Sequence, residues 1–362
     1  MVVLEAGPAW RLEDLVSSQI WARRLKWGGA PVLRGGDDPV GHNMSAGSGL
    51  GGAALHHYAS WPRLHPSDFR MASEHGRGLD WPIGYDDLRP HYDRVQEEVG
   101  ISGDAAREVW RPAAAPYPMP PLETFAQARV LARGFDRLGM RVAPMPMAIT
   151  STEYKGRQPC VYDGWCDAGC PIGALANPLV VHQPAARKAG AVFRTGATVV
   201  RLAMNGGRAA ALVYRDEKGG EHVQPADLII LAGAAVQNAR LLLSSGVANR
   251  SGLVGAYYTM HAFANVHGLF GDETEPYLGV SSGGAMSQDD YGKRRAGPAF
   301  GSLTWGLAPA LKPNDLIGIA MTRPDLFGAD LVAFMARAAK HIGIVNGIAE
   351  SLPVRSNRVE LA

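Results

Sequence analysis

Charge imbalance is nearly absent from this sequence of 362 residues: 36 Lys and Arg against 34 Asp and Glu leave a net charge of +2. No block of like charge stands out, so neither nucleic acid nor an acidic surface is indicated as partner. No uninterrupted apolar run reaches the ~20 residues of a membrane-spanning helix. The N-terminus shows no basic stretch ahead of an apolar one, hence no visible signal peptide. No period recurs, which excludes a fibrous chain. Cysteine is scarce, with three residues in all. What is left, 46% hydrophobic and 19% charged, describes a globular chain long enough for two interlocked domains and a large core. The 44 glycines and 25 prolines indicate many tight turns.

The glycines concentrate between Gly41 and Phe69, where Gly47, Gly49, Gly51 and Gly52 are interleaved with Ser45 and Ser48. Backbone without a Cβ can press its N–H groups against a phosphate or a flat ring. A surface Gly/Ser loop would be flanked by polar sequence, but this one runs into Leu55, His56, His57, Tyr58 and Trp61. That bulky tail favours a buried loop beside a ligand.

At the N-terminus, Met1 to Leu4 reads as a buried strand that closes on Glu5 before the turn residues Gly7 and Pro8. In dinucleotide-binding folds the acid ending the second strand accepts hydrogen bonds from ribose hydroxyls. A strand and a G-x-G-x-x-G turn should precede it and do not. Either Glu5 is an ordinary strand-end carboxylate, or the chain begins after its first βα unit.

Further along, residues 9–40 read as a loop with an amphipathic piece around Leu12–Leu25, turn-rich from Arg24 to Val40, with Trp27 as packing. Asp68–Leu79 reads as helix, broken at Pro82. Tyr85–Val99 carries a helical stripe of Leu88, Tyr92, Val95 and Val99, capped by Asp86 or Asp87. Residues 103–123 are a Pro/Ala-rich connection, Thr124–Leu138 is helical, and 140–151 is extended. Short strands follow at 191–194, 198–204 and 209–215, with turns at Asn205-Gly206-Gly207 and Lys218-Gly219-Gly220. Leu228–Leu231 reads as a buried parallel strand, with a helix over Ala239–Ser245. Val254–Phe270 is apolar and becomes a strand near Asn265; His261 and His267 receive no catalytic role. Residues 313–330 read as loop, Leu331–Ile348 as an amphipathic helix packed on a sheet, and 350–362 as a strand.

All three cysteines, Cys160, Cys166 and Cys170, fall within eleven residues, so shared chemistry is the better reading. Four readings stay open. A disulfide needs an oxidising compartment and leaves an odd thiol. Zinc needs a fourth ligand such as His182. Buried structural thiols need nothing more. An iron–sulfur cluster suits soft thiolates and the closing Cys170-Pro171.

The segments VVLEAGP at 2–8, GSGLGGAALHH at 47–57, WPRLHP at 61–66 and LDWPIGYDDLRPHYDRVQEEVG at 79–100 resemble the glucose-methanol-choline (GMC) family of FAD-dependent oxidoreductases. Within it they are similar to the bacterial branch of gluconate, fructose and glucose dehydrogenases. The likeness continues through CVYDGWCDAGCPIGA at 160–174, FRTGATVVRL at 193–202, ADLIILAGAAVQNARLLLSSG at 226–246, VGAYYTMH at 254–261 and ESLPVRSNRV at 350–359.

The resemblance implies an α/β chain in which an incomplete FAD-binding Rossmann-like domain is interlocked with an α+β substrate domain of sheet plus helices. Residues 1–110 and 184–250 would form the first, 111–183 and 251–362 the second. FAD would be held by Glu5, Gly47, Ser48, Gly51, Gly52 and Ala53, by the backbone of Val199, and at Gly233. Cys160, Cys166 and Cys170 would ligate a 3Fe-4S cluster passing electrons towards a cytochrome c subunit, with a small subunit alongside, although Leu175 replaces the lysine expected after the GCPxGA pattern. The implied reaction is hydride transfer from an alcohol, sugar or polyol to the flavin. The family's histidine base and its partner would lie beyond Ala362, so no catalytic residue is assigned and the chain is expected to be truncated at both ends and inactive alone. Relatives favour the periplasmic or membrane-associated face over the cytoplasm. The alternatives are a non-catalytic metal-binding or structural fragment, and an oxygen-reducing oxidase.

Overall fold

The computed structural model describes residues 1–29, 31–37, 46–292 and 300–362; Gly41, Ser45 and parts of the Arg24–Val40 stretch lie outside the described residues. From the N-terminus come β1 (Val2–Leu4), α1 (Gln19–Lys26), α2 (Met71–His75), α3 (Tyr85–Val99), α4 (Ala126–Arg137) and β2 (Ala143–Pro144). The middle of the chain forms α5 (Gln183–Lys188), β3 (Val192–Arg194), β4 (Thr198–Asn205), β5 (Arg208–Arg215), β6 (Glu221–Pro225) and α6 (Ala234–Ser244). The last third holds β7 (Ala262–Leu269), β8 (Ala285–Ser287), β9 (Leu303–Leu307), α7 (Pro313–Ala320), α8 (Gly328–His341) and β10 (Ile342–Ala349).

Three sheets result. β1 and β3 pair in parallel, β4, β5 and β6 form an antiparallel meander, and β2-β8-β9-β10-β7 make an antiparallel sheet in that order. The meander turns where the sequence demands it. Gly206 and Gly207 have φ of 54° and 82°, and a two-residue hairpin loop needs left-handed backbone at both positions. α3 starts and stops on equally local signals: the Asp87 carboxylate accepts the Gly84 N–H at 2.8 Å, and Gly100 ends the helix at φ 76°.

The main core gathers Ile101, Met147, Ile149, Leu175 and Met286 around the extended 140–151 segment, with Cys166 inside it and Cys160 and Cys170 at its edge. α4 lays Ala128, Leu131 and Phe135 on Ala285 of β8 and Leu307 of β9. α7 and α8 cover Ile342 and Ile344 of β10 with Leu316 and Ala338. Among the described residues no helix is long and apolar enough to cross a membrane.

Several expectations fail, some for local and some for non-local reasons. Leu228–Leu231 is not a strand: the parallel ladder among the described residues contains β1 and β3 alone, and Leu228 and Ile230 stand 78% and 77% exposed. The segment instead serves α6, which begins at Ala234 rather than near Ala239, with Asn238 bonding both Leu231 O and Gly233 N. The expected loop at 313–330 contains α7, because Pro313 opens a helix and Asp315 accepts the Lys312 N–H at 2.8 Å. The expected helix over Leu331–Ile348 ends at His341, and its remainder is β10, hydrogen-bonded on both sides by β9 and β7. No strand forms over 350–362, where Val359 and Asn357 instead bond the 255–258 loop. The helix expected over Asp68–Leu79 shrinks to α2, stopped by Gly76 at φ 64°. Trp27 is 45% exposed and follows α1 as its C-cap rather than filling the core.

Gln127 of α4, 1% exposed, fastens the helix to the sheet by donating to Pro309 O at 3.2 Å and accepting the Ile344 N–H at 3.0 Å. Gln127→Leu keeps the apolar volume but orphans both buried backbone groups, and should cost about 2 kcal/mol in urea denaturation without changing the slope.

Candidate cofactor site

The turn after β1 grips the glycine loop through main-chain groups. The Glu5 carboxylate accepts the Gly7 N–H at 2.8 Å and the Gly49 N–H at 3.1 Å through the same oxygen, Oε1. Pro8 O accepts the Leu50 N–H at 2.8 Å, and the Trp10 indole N–H donates to Ser48 O at 3.0 Å. The approach is so close that a Cβ on Gly7 would run into Ser48 and Gly49, and one on Gly49 would lie inside the Trp10 ring. Gly49, Gly51 and Gly52 all lie at positive φ, 129°, 103° and 54°. Glycine is required there by conformation as well as by space.

Past the tight part, the loop opens. Nothing lies within 4 Å of where a Gly52 Cβ would stand, and Ala53 is exposed. Leu55, fully buried, anchors the short 3₁₀ turn that follows. Gly47 and Ser48 are half-buried. The corner between β3 and β4 joins the same end: Ala197 N–H donates to Glu5 O at 2.9 Å and Gly196 N–H to Gly7 O at 3.2 Å. Val199, two residues on, is half-buried opposite Tyr214 and beside a bulge in β4. The fold therefore gathers Glu5, Gly47, Ser48, Gly51, Gly52 and the start of β4 at one end of β1. Gly233 is not tied to this hub by these bonds, and its φ of −83° requires no glycine.

Two histidines follow the glycines. His57 is held neutral by geometry, with Nε2 bonded to Ala176 O at 2.8 Å and Nδ1 accepting the Ala59 N–H at 3.0 Å. His56 is 6% exposed, its Nε2 has no partner, and a Cβ on Gly47 would stand 3.1 Å from that atom. Burial lowers the pKa of both imidazoles.

α1 carries the glycine loop to the cysteine segment. Lys26 bonds Tyr58 Oη at 3.0 Å and meets the buried Asp167 at 2.5 Å, while Lys312 stands 3.5 Å from the other Asp167 oxygen. Trp21 N–H donates to Ala168 O at 3.2 Å. None of Trp10, Trp21, Lys26, Asp167 and Lys312 was assigned a role from sequence, because their partners are distant in the chain and no local spacing announces them.

The three thiols are free, and burial pushes Cys160 up to about 12, Cys166 up to about 11, and Cys170 upward as well. Cys160 accepts the Tyr162 N–H at 3.3 Å and Cys170 the Leu175 N–H at 3.4 Å. Among the described residues there is no group of three or more His, Cys, Asp and Glu side chains that could hold a metal ion, and Cys166 lies in the core with Cys160 and Cys170 packed against it. No observation here places a 3Fe-4S cluster on the three thiols. FAD does fit the other end. A strand-end carboxylate keeps one oxygen beyond the bonded Oε1, next to glycine backbone open at Gly52.

Comparison with known proteins agrees with that fit. Residues 40–263 match the GMC oxidoreductase family model. The chain is 33% identical over 222 residues to the 2-methyl-1,2-propanediol dehydrogenase of Mycolicibacterium austroafricanum, covering 59% of this chain and 40% of that protein. Against the fructose dehydrogenase large subunit of Gluconobacter japonicus it is 30% identical, covering 61% and 42%. Against the gluconate 2-dehydrogenase flavoprotein of Pantoea cypripedii it is 28% identical, covering 74% and 51%. The chain thus spans about half or less of the length of these curated relatives. Among solved structures, pyridoxine 4-oxidase from Mesorbium loti superposes with a TM-score of 0.57 at 18% identity, over 96% of this chain and 66% of that one. An Aspergillus oryzae formate oxidase variant gives 0.58 at 13% identity, over 96% and 67%. At such identities these two show the fold alone.

The buried histidines make stability depend on pH with a definite sign. Their folded pKa values lie below the ordinary 6.5, so the unfolded chain binds protons that the folded chain refuses. Stability should be complete above that pH and fall as pH drops through it towards the folded values, by at most about 1.4 kcal/mol per pH unit for each histidine. Urea denaturation across that range checks it, and His57→Gln should flatten the slope.

Proposed function

The chain belongs to the GMC oxidoreductase family, and from that premise we propose that it holds FAD against the glycine loop for the oxidation of an alcohol, in the class of sugars or polyols. The observation that carries this reading is the Glu5 carboxylate bound by the amides of Gly7 and Gly49. Those bonds fix one oxygen and leave the other to accept from the ribose hydroxyls. Gly51, Gly52 and Ala53 would let the main chain lie against the cofactor, with Gly47 and Ser48 leading in and the Val199 backbone meeting the adenine. Gly233 would lie near the cofactor through the turn before α6. FAD, when bound, supplies the hydride acceptor. We assign residues 1–110 and 184–250 to the FAD-binding part and 111–183 and 251–362 to the substrate part. No residue of this chain is assigned as catalytic base.

The finer reading passes electrons through a cluster on Cys160, Cys166 and Cys170 to a cytochrome subunit, and it rests on resemblance alone. Burial and N–H···S bonds at these thiols suit core packing and cluster ligation alike. Metal analysis of anaerobically purified protein decides between them: about three irons per chain with acid-labile sulfide marks the cluster, and no stoichiometric iron marks core thiols.

The cofactor reading is tested by titrating the protein with FAD and with FMN, which lacks the adenosine half, and following flavin fluorescence. FAD should bind far more tightly than FMN, and Glu5→Gln should narrow that gap by about tenfold. Equal affinity for the two flavins, or no binding of either, would remove the proposal.

A further inference from the structure

We propose that Trp10 is a positioning residue that clamps the glycine loop in the shape the cofactor needs; the loop's use rests on the FAD reading above. Three bonds run between residues 5–10 and 48–50, and only one uses a side chain donor. That one is the Trp10 indole N–H to Ser48 O at 3.0 Å. The same ring fills the space beside the Gly49 Cα, so the left-handed backbone at Gly49 is braced from one side by the indole and from the other by the Glu5 carboxylate.

The indole is itself in contact with neighbours on α1. It meets Trp21 edge to face, with centroids 5.3 Å apart and planes at 81°. The Arg24 guanidinium lies over both rings, 5.6 Å from the Trp10 centroid and 5.5 Å from that of Trp21. A cation at that distance is attracted by the face of each ring. Trp21 is in turn bonded to Ala168 O at 3.2 Å, a bond that does not touch the loop. An amide that must meet a phosphate or a ring edge gains by being held before the ligand arrives, because the ordering cost is then not charged to binding.

Two variants separate the clamp from general packing. Trp10→Phe keeps the aromatic contact and removes the N–H, while Trp21→Phe removes the bond to Ala168 and leaves the loop bond intact. Hydrogen–deuterium exchange on protein without added flavin should show the amides of Gly49, Leu50 and Gly52 exchanging about fivefold faster in Trp10→Phe and unchanged in Trp21→Phe. In FAD titrations Trp10→Phe should bind about fivefold more weakly, with a melting temperature close to that of the parent. Loop exchange at the parental rate in Trp10→Phe would overturn the clamp. Faster exchange with unchanged FAD affinity would overturn its positioning role. If the parent binds no FAD, the cofactor reading and the positioning role fall together, while the exchange result still decides whether Trp10 clamps the loop.

Discussion

The amide of Gly49 reaches the Glu5 carboxylate only because two stretches of main chain approach each other with no side chain between them. Gly7 supplies the bare surface on one side and Gly49 on the other, and each would collide with the opposing backbone or ring if it carried a Cβ. Much else is arranged around that approach. The Glu5 carbonyl fixes Ala197 and with it the entry to the meander, and the Leu50 amide closes on Pro8. A short two-stranded parallel sheet is a weak platform by itself. Here its end is consolidated by hydrogen bonds to backbone that is remote in sequence.

A second tie runs beneath the loop. Asp167, buried between the ammonium groups of Lys26 and Lys312, joins α1 to the cysteine segment and to the start of α7. Removing either lysine would leave a buried carboxylate less compensated, which costs more than the pair contributes when intact. α1, the cysteine segment and the start of α7 are thus joined by charge as well as by packing.

Legibility in the sequence followed the range of the interactions. Two of the three meander strands, β4 and β5, were readable to within a residue or so, since Gly206 and Gly207 dictate their turn from within, whereas β6 was not read. Tyr85–Val99 was readable because Asp87 and Gly100 mark its ends. By contrast, LIIL at 228–231 and IGIVNGIA at 342–349 are apolar runs whose fate depends on which strands stand beside them: the first, expected as strand, is irregular, and the second, expected as helix to Ile348, is β10. At the site, Glu5 and the glycines announced themselves by type. The bond between Glu5 and Gly49 spans 44 residues, and that between Trp10 and Ser48 spans 38, so neither had a signature in any window. His56 was visible only as part of a bulky run; its unpartnered nitrogen is a property of the packed molecule.

β10 also governs the order in which the larger sheet can be built. It lies between β9 and β7, and β7 has no other strand partner among the described residues. During synthesis from the N-terminus, β7 leaves the ribosome at Leu269 and waits, with its backbone hydrogen-bonding edge unpaired, until Ile342–Ala349 has followed. An apolar strand kept single for that interval is prone to pair with a neighbouring nascent chain. Yield of soluble protein should therefore respond to translation speed and to chaperone supply across residues 270–349, a demand created by sheet order alone.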